Sequence, residues 1–459
     1  MPSNKEILEA QRFNRRRLIT AFSSGIPSGK EISPSAPSRP LIAGLIICLI
    51  MLGGAAIASR FAPVLPQGWE NSTLVVIKGT GARYFSINGT LRPVTNVTSA
   101  RLLSEPGQFK ISEVSASTIS GIPRGSSIGL TDVPDDVPDS SALASHLWLS
   151  CALPTGTHTW VGIAPEGPTE QGNALVAHKD DYYLLSSGTR HLISPDSRTG
   201  VLIALGLDAL KPQEVSADWL NLFEQGSDLS PFDIAHAGHP VTGMPPRLGS
   251  AVIGSIIEVE DGDAARRYIV TGDATIAPLS DTAERLHRIS KTGELVGNSL
   301  KATVAELSTL TVAADTYAPS DWPTSVENIV PSDHSPCASL LTSKDGSGTF
   351  LTSWETRSAI TNANGGQNAD DSLPTPLNAV SVPGGGGALI RTSSGGTLGA
   401  TMVITDDGKS HGLGSTPGEA IARLGWKDTD ILTIPAPWAA LVPSGVDLLP
   451  QAAWETVST

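Results

Sequence analysis

Four segments of the chain repeat one pattern, and this repetition constrains the possible folds more than any other feature. Each segment reads as an apolar strand, a turn, a second strand, a glycine-containing turn, a third strand and a helix. In the first segment, Asn88-Gly89 separates alternating apolar residues, which is a strong signal for a hairpin. A small strand-and-helix module, repeated four times, is therefore predicted for residues 74–103, 174–207, 255–286 and 388–426.

Gly188 and Gly408 take the place of Gly89 in two other segments, and we expect all three glycines to supply the positive φ of a hairpin turn. The letters GKS that begin at Gly408 also match the end of a phosphate-binding loop. That loop requires a glycine five residues earlier, but Val403 stands there in a strand-like run. The pattern therefore favours a turn over a nucleotide site.

A shared tail follows three of the four segments. It runs over Val114–Gly125, Val215–Gly226 and Ile434–Gly445, and each interval is eleven positions long. An alanine stands two places after each opening residue. No convincing tail can be identified after the third segment.

Residues 41–59 form a run of 19 uncharged, mostly apolar residues. As a helix this run would be about 28 Å long, which is enough to cross the hydrocarbon core of a bilayer. The polar segment before it carries the basic residues Arg12, Arg15, Arg16 and Arg17. By the positive-inside rule we predict one transmembrane helix with a cytoplasmic tail, in which these arginines fix the topology and make cytoplasmic contacts. The bulk of the chain would then be extracytoplasmic (periplasmic), beyond the inner (plasma) membrane.

That bulk is acidic. Residues 1–40 carry a net charge of +4 and the whole chain carries −14, so residues 60–459 sum to −18. An acidic bulk argues against nucleic acid and against anionic lipid as its partners. Charged and aromatic residues are scarce, at 17% and 5%, while glycine and proline are abundant. Many short elements joined by turns fit this composition, so we predict an α+β, β-rich fold.

The three cysteines divide between the predicted membrane and the exported region. Cys48 lies in the apolar run, whereas Cys151 and Cys337 lie where thiols tend to be oxidised. We therefore predict a Cys151–Cys337 disulfide. These two cysteines also lie in the two segments that do not repeat, 131–172 and 311–380. The simplest arrangement is a central β core built from both segments, closed by the disulfide and flanked by the repeats.

These observations predict a division of the chain into eight regions. They are a cytoplasmic tail (1–40), a transmembrane helix (41–59), a first repeat (72–130), the first core segment (131–172), a second repeat (173–240), a third repeat (241–310), the second core segment (311–380) and a fourth repeat (381–450).

Three short motifs have residue types that can carry chemistry. Residues 125–129 match G-x-S-x-G around Ser127, but a nucleophile elbow needs a strand before the serine and a helix after it, and nearby prolines on both sides disfavour these. One aspartate and two histidines at 233–239 have a spacing that matches no common zinc site. The acidic run 131–139 lacks the glycine of a calcium-binding loop and reads as an exposed linker. We therefore predict no catalytic residue, no cofactor and no metal site.

Together these features resemble the EccB family, a membrane subunit of actinobacterial type VII secretion systems. The resemblance lies in the single span and in residues 11–25, 81–103, 121–129 and 198–207. It implies an elongated extracytoplasmic region with four repeat domains around a core in which Cys151 pairs with Cys337. It also implies assembly with an FtsK-like motor ATPase, a multi-spanning channel subunit, a third membrane core subunit and a mycosin protease. Members of the family are described as ATPases, but no motif in this sequence carries that activity.

Two hypotheses of function follow. In the first, the chain is a structural subunit whose repeats contact copies of itself and other subunits of a secretion complex. In the second, it is an ATP-hydrolysing or envelope-hydrolase subunit with a site that the sequence does not reveal. ATP turnover by the purified protein separates these two, and binding to peptidoglycan would test a weaker third option, a cell-wall binding module.

Overall fold

A computed structural model describes residues 3–24, 38–60, 65–146, 148–163, 165–261, 264–314, 317–343, 346–363 and 379–456. The chain divides into two compact units, residues 1–65 and residues 66–459. The helices, in chain order, are α1 (Asn4–Ser24), α2 (Ser38–Arg60), α3 (Val97–Leu103), α4 (Arg198–Leu205), α5 (Ala217–Leu220), α6 (Asp281–Arg288), α7 (Lys291–Val296), α8 (Val304–Leu307), α9 (Thr356–Ala363), α10 (Pro417–Leu424) and α11 (Ala436–Ala440).

The strands all lie in the second unit. In chain order they are β1 (Thr73–Ile77), β2 (Arg83–Ile87), β3 (Thr90–Pro93), β4 (Lys110–Val114), β5 (Trp148–Leu153), β6 (Gly156–Val161), β7 (Thr169–Glu170), β8 (Asn173–His178), β9 (Asp181–Ser186), β10 (Thr189–Ile193), β11 (Gln213–Glu214), β12 (Glu224–Gln225), β13 (Ile256–Asp261), β14 (Ala264–Gly272), β15 (Thr275–Leu279), β16 (Leu300–Ala302), β17 (Thr311–Val312), β18 (His334–Ser343), β19 (Gly346–Glu355), β20 (Ala379–Ser381), β21 (Gly387–Ser394), β22 (Thr397–Thr405), β23 (Ser410–Gly412) and β24 (Leu432–Pro435).

The first unit contains α1 and α2. In α2 the described side chains are those of residues 41–53, and all of them are exposed. Across the described residues of the chain, no helix combines the length and hydropathy that crossing a membrane requires. The transmembrane helix at 41–59 therefore stays a prediction.

The described residues form five sheets, and four of them share one arrangement of strands. Sheet 1 has the order β3-β2-β1-β4, sheet 2 β11-β8-β9-β10-β12, sheet 3 β16-β13-β14-β15-β17 and sheet 4 β23-β22-β21-β24. In each, three antiparallel strands lead into a helix, and the chain then returns as a strand parallel to the first of the three. The chain next pairs in parallel with the third strand, through β12 and β17 in sheets 2 and 3 and through single bridges at Arg124 and Ser444 in sheets 1 and 4.

Sheet 3 contains the tail segment that the sequence did not reveal. The amide of Ala313 donates to the carbonyl of Ile276 at 2.8 Å, just as the amide of Gly226 donates to the carbonyl of Arg190 at 2.9 Å in sheet 2. Ala313 lies eleven positions after Ala302, which ends β16. The spacing is therefore the same as in the other tails. The third tail was not recognised in the sequence because alanine stands at both of its ends.

The fifth, central sheet is built from both non-repeated segments, in the order β20-β6-β5-β18-β19-β7. Every residue of β5 is buried, because both faces of this strand are covered. The mixed α+β, β-rich class predicted from composition is confirmed. Within the second unit, the other four sheets pack in pairs through their helices.

Helix α3 of sheet 1 packs on α10 of sheet 4, and α4 of sheet 2 packs on α6 of sheet 3. In both pairs an arginine of one helix donates to the last carbonyls of the other helix. Arg423 reaches the carbonyl of Ser104 at 2.5 Å, and Arg285 reaches that of Ala204 at 3.4 Å. A cation at a helix C-terminus satisfies carbonyls that lack a partner within the helix. Leucines and isoleucines from each pair of sheets then form one shared core.

Candidate assembly site

The predicted disulfide between Cys151 and Cys337 is present and joins β5 to β18. The two residues are directly opposite each other in the antiparallel pair, and both are fully buried. Their side chains lie on the face of the central sheet that α9 covers, together with Trp160 and Trp354. The bond closes a chain separation of 186 residues, so it joins the two non-repeated segments into one sheet.

The opposite face of the central sheet receives one tryptophan from sheet 2 and one from sheet 4. Trp219 on α5 donates its indole N–H to the carbonyl of Ser150 at 3.0 Å. Trp438 on α11 donates to the hydroxyl of Thr349 at 2.9 Å. Both indoles are fully buried and share one core with Trp148. Each tryptophan is the third residue of its tail helix, so the tails of sheets 2 and 4 attach these sheets to the central sheet.

The turn glycines of the same two sheets also contact the centre. Gly188 and Gly408 have φ values of 91° and 72°, a region that favours glycine. A Cβ added at Gly188 would lie 2.5 Å from the carbonyl oxygen of Thr349, and one added at Gly408 would lie 2.9 Å from that of Val380. Glycine is therefore required at both turns for its backbone conformation and for the close approach.

A buried histidine lies beneath the tail of each of these two sheets. His191 and His411 are fully buried, and their Nδ1 atoms donate to the carbonyls of Ser227 at 2.9 Å and Val446 at 2.7 Å. The glycine before each carbonyl stands against the imidazole ring, where a Cβ would overlap it. In sheet 3 the equivalent positions hold Ala277 and Ala313, and the small side chain of Ala277 under the tail leaves room for the Cβ of Ala313. Sequence reasoning missed both histidines, although each follows its turn glycine by three positions.

His158 lies on the disulfide face, next to Cys151 in the paired strand. Its Nε2 is 2.9 Å from the hydroxyl of Ser381 on β20, and its ring packs on Trp160 with 4.2 Å between centroids. Burial lowers the pKa of His158 to about 4. The ring is therefore neutral at physiological pH and belongs to the packed core of the sheet.

The other predicted residues do not join this site. Asn88 and Gly89 have φ values of 48° and 71°, but nothing would touch a Cβ at Gly89 within 4 Å. Their backbone amides instead bond to the preceding segment at Asn71 and Glu70. The basic residues Arg12, Arg15, Arg16 and Arg17 lie on α1 in the first unit, with exposed side chains.

The three motifs that could carry chemistry have structural roles. No helix follows Ser127, and the residue after it instead bridges to Val94, just beyond the end of β3. Within the described ranges, no group of three or more histidine, cysteine or acidic residues could hold a metal ion. The acidic run 131–139 is largely exposed but paired, since Asp136 bonds Arg101 at 2.7 Å and Asp132 bonds Lys409 at 3.5 Å. It therefore connects sheet 1 to sheet 4.

A shallow cleft of about 330 Å³ lies where 141–144 meet Gly162 and the glycine run 384–387. None of the residues that line it has an ionisable side chain. The described residues of this cleft therefore offer no ionisable side chain for proton transfer. The contacts described above are thus concentrated at the junction of sheets 2 and 4 with the central sheet, which holds these sheets together within the chain.

A family model described as "Type VII secretion system ESX-1, transport TM domain B" matches residues 1–458. The chain belongs to this EccB family. Its relatives include proteins named "ESX-1 secretion system ATPase EccB1". The one from Mycobacterium tuberculosis H37Rv is 26% identical over 271 residues, 54% of either chain, and the one from Mycolicibacterium smegmatis MKD8 is 27% identical over 287 residues, 58% of either chain. The chain therefore matches little more than half the length of these relatives.

Chains in three solved structures share the fold. A chain of an intact ESX-5 inner membrane complex has a TM-score of 0.66 and 20% identity, with 100% of this chain and 96% of that one covered. A chain of the periplasmic assembly of the ESX-5 complex has 0.63 and 21%, with 86% and 98% covered. A chain of the EccB3 dimer from the ESX-3 core complex has 0.63 and 22%, with 83% and 99% covered.

Proposed function

We propose that this protein is a structural, membrane-anchored subunit of a type VII secretion complex, whose extracytoplasmic sheets mediate assembly. The observation that carries this proposal is the junction in which two tail tryptophans and two turn glycines fix sheets 2 and 4 to a disulfide-closed centre. Such a junction holds surfaces at fixed positions, which is what a scaffold requires. Family membership supports the secretion role, and the structures it resembles come from ESX complexes.

Helix α2 is the proposed membrane anchor. It runs over 23 residues, and the described side chains of 41–53 are uncharged and exposed. A helix of that length is about 34 Å long, which matches the hydrocarbon core of a bilayer. With the basic tail inside, residues 66–459 would lie in the periplasm, where an oxidised Cys151–Cys337 pair is stable.

We further propose that sheets 1 to 4 are copies of one duplicated module and that the chain divides into the eight regions given above, with β17 and Ala313, at the start of the second core segment, completing sheet 3. Their common strand order and the eleven-residue spacing of their tails support this. The proposed partners are other copies of this chain, an FtsK-like motor ATPase, a multi-spanning channel subunit, a third membrane core subunit and a mycosin protease.

Purification of the tagged full chain from its own membranes, followed by cross-linking and mass spectrometry, tests the proposal. We expect the other membrane subunits to copurify, and we expect cross-links between residues 66–459 of neighbouring copies. A chain that purifies alone from membranes that contain those subunits would contradict the structural role.

The second candidate is an ATP-hydrolysing or envelope-hydrolase subunit, which the name of the EccB1 relatives favours. Its test is ATP turnover by the full chain in detergent. Turnover that is retained through purification and lost on a single substitution would favour the enzyme. We expect no turnover above background, because neither the cleft at 141–144 and 383–387 nor the one beside Trp354 and Arg357 has an acidic or histidine side chain among its described lining residues.

A further inference from the structure

Helix α1 carries an apolar face that is open to solvent. Ile7, Leu18 and Phe22 are all exposed, and Phe22 is 88% exposed. At about 100° per residue, these three side chains project within about 60° of one another. Leu8 and Ile19, also exposed, extend the face by about another 60°. Exposure of this much apolar surface on one helix side requires a partner.

Basic side chains flank the apolar face of α1. Lys5, Arg12 and Arg16 project within about 40° of one another, and this group begins about 20° beyond Ile19. The helix as a whole carries five basic and two acidic side chains, in contrast with the net −18 of residues 60–459. Arg15 lies within the apolar arc, but its long aliphatic stem allows the guanidinium to reach a polar surface. Among the large apolar side chains of α1, Phe13 projects away from the apolar face, about 180° from its centre.

We infer that α1 lies along the surface of an anionic bilayer, with its apolar face among the acyl chains and its arginines at the headgroup phosphates. An amphipathic helix with a basic polar face binds in this way through apolar burial and through attraction to anionic lipid. The charge of α1 selects this partner, because an uncharged lipid surface would gain nothing from the five basic residues. A protein groove is the competing occupant.

This inference rests on the proposed anchor α2. Thirteen residues, 25–37, separate the two helices. A chain of that length spans at most about 45 Å, so α1 cannot leave the neighbourhood of a membrane that α2 crosses. The tether raises the effective concentration of the helix at the surface, and a modest intrinsic affinity is then sufficient.

The test uses the full chain in vesicles of phosphatidylcholine and phosphatidylglycerol, with one nitroxide at a time on residues 15–22. Cys48→Ser provides the background, since Cys48 is the free cysteine. We expect oxygen to reach labels at 18 and 22 most and a polar nickel chelate to reach labels at 16 and 20 most, with a period of about 3.6 residues. The difference in accessibility between the two faces should decrease severalfold in phosphatidylcholine alone and at about 1 M salt, because salt screens the attraction between the basic residues and anionic lipid.

Leu18→Glu and Thr20→Glu form a matched pair, because each adds one negative charge and only the face differs. Leu18→Glu should abolish the oxygen signal at residue 22, and Thr20→Glu should retain it. A flat accessibility pattern in the anionic vesicles, or a pattern that survives Leu18→Glu, would overturn the inference. A pattern that emerges only when another subunit is added would assign the face to a protein and overturn it too.

A label on the native Cys48 separates this inference from the proposed anchor. If that label lies deep in the bilayer and the accessibility along α1 shows no periodicity, the surface helix is wrong and the anchor stands. If that label is in water and the accessibility along α1 is periodic, the anchor is wrong and the surface helix stands. If the label is in water and the accessibility along α1 shows no periodicity, both are wrong.

Discussion

Gly188→Ala should destabilise the junction far more than Gly89→Ala, although both glycines occupy the same turn position. Both have positive φ, at 91° and 71°, and alanine in that conformation costs about 1–2 kcal/mol, partly offset by the stiffer unfolded chain. At Gly188 the new Cβ would also lie 2.5 Å from the Thr349 carbonyl, whereas nothing lies within 4 Å of the Cβ at Gly89. Forcing that turn away from β19 adds about 1–3 kcal/mol.

Hydrogen exchange on the detergent-solubilised full chain measures both variants. Gly188→Ala should reduce the protection of the amides in β9, β10 and β19 by about 2–5 kcal/mol, and Gly89→Ala should reduce that of β2 and β3 by about 1–2 kcal/mol. A local measurement is needed because a chain of several sheets need not unfold in one step. Equal losses in the two variants would refute the reasoning that Gly188 is a docking residue.

Three further predictions concern the central sheet and its junction with sheets 2 and 4. Trp438→Ala should cost about 3–5 kcal/mol of local stability and Trp454→Ala at most about 2 kcal/mol, because Trp438 is fully buried and Trp454 is 51% exposed; equal costs in hydrogen exchange would contradict this. Cys151→Ser should lower the stability of the second unit by about 2–5 kcal/mol in denaturant, and a thiol assay that finds Cys337 free in the folded wild type would contradict it. Because burial lowers the pKa of His158 to about 4, the unfolded chain binds the proton more readily, so stability should fall by about 3 kcal/mol as pH drops from 6.5 to 4. His158→Gln should remove most of this loss of stability when unfolding is measured as a function of pH. An unchanged dependence of stability on pH in the variant would show that other groups cause the loss.

Local features of this fold could be predicted from the sequence. Asn88-Gly89 and the equivalent glycines mark turns because positive φ excludes most other residues, and the pairing of Cys151 with Cys337 followed from the compartment. These inferences depend on a few neighbouring residues or on a count. They hold without knowledge of the rest of the chain.

Long-range contacts could not be predicted in this way. Gly89 and Gly188 have similar sequence contexts, but of the two only Gly188 contacts a distant strand, at Thr349 of β19. The third tail was missed because Ala302 and Ala313 replace its usual residues, and a small partner beneath Ala313 makes that exchange possible. Such compensation between distant positions is visible only when the packing is known.

The most direct test of the structural role compares Trp438→Ala with Trp454→Ala in cells that lack the wild-type chain. The measurement is the size and subunit content of the detergent-extracted membrane complex, with secretion measured in the same cells. We predict that Trp438→Ala loses both the complex and secretion, whereas Trp454→Ala keeps both. If hydrogen exchange shows that the junction is destabilised in Trp438→Ala and the complex is nevertheless complete, the proposed structural role of the junction is contradicted.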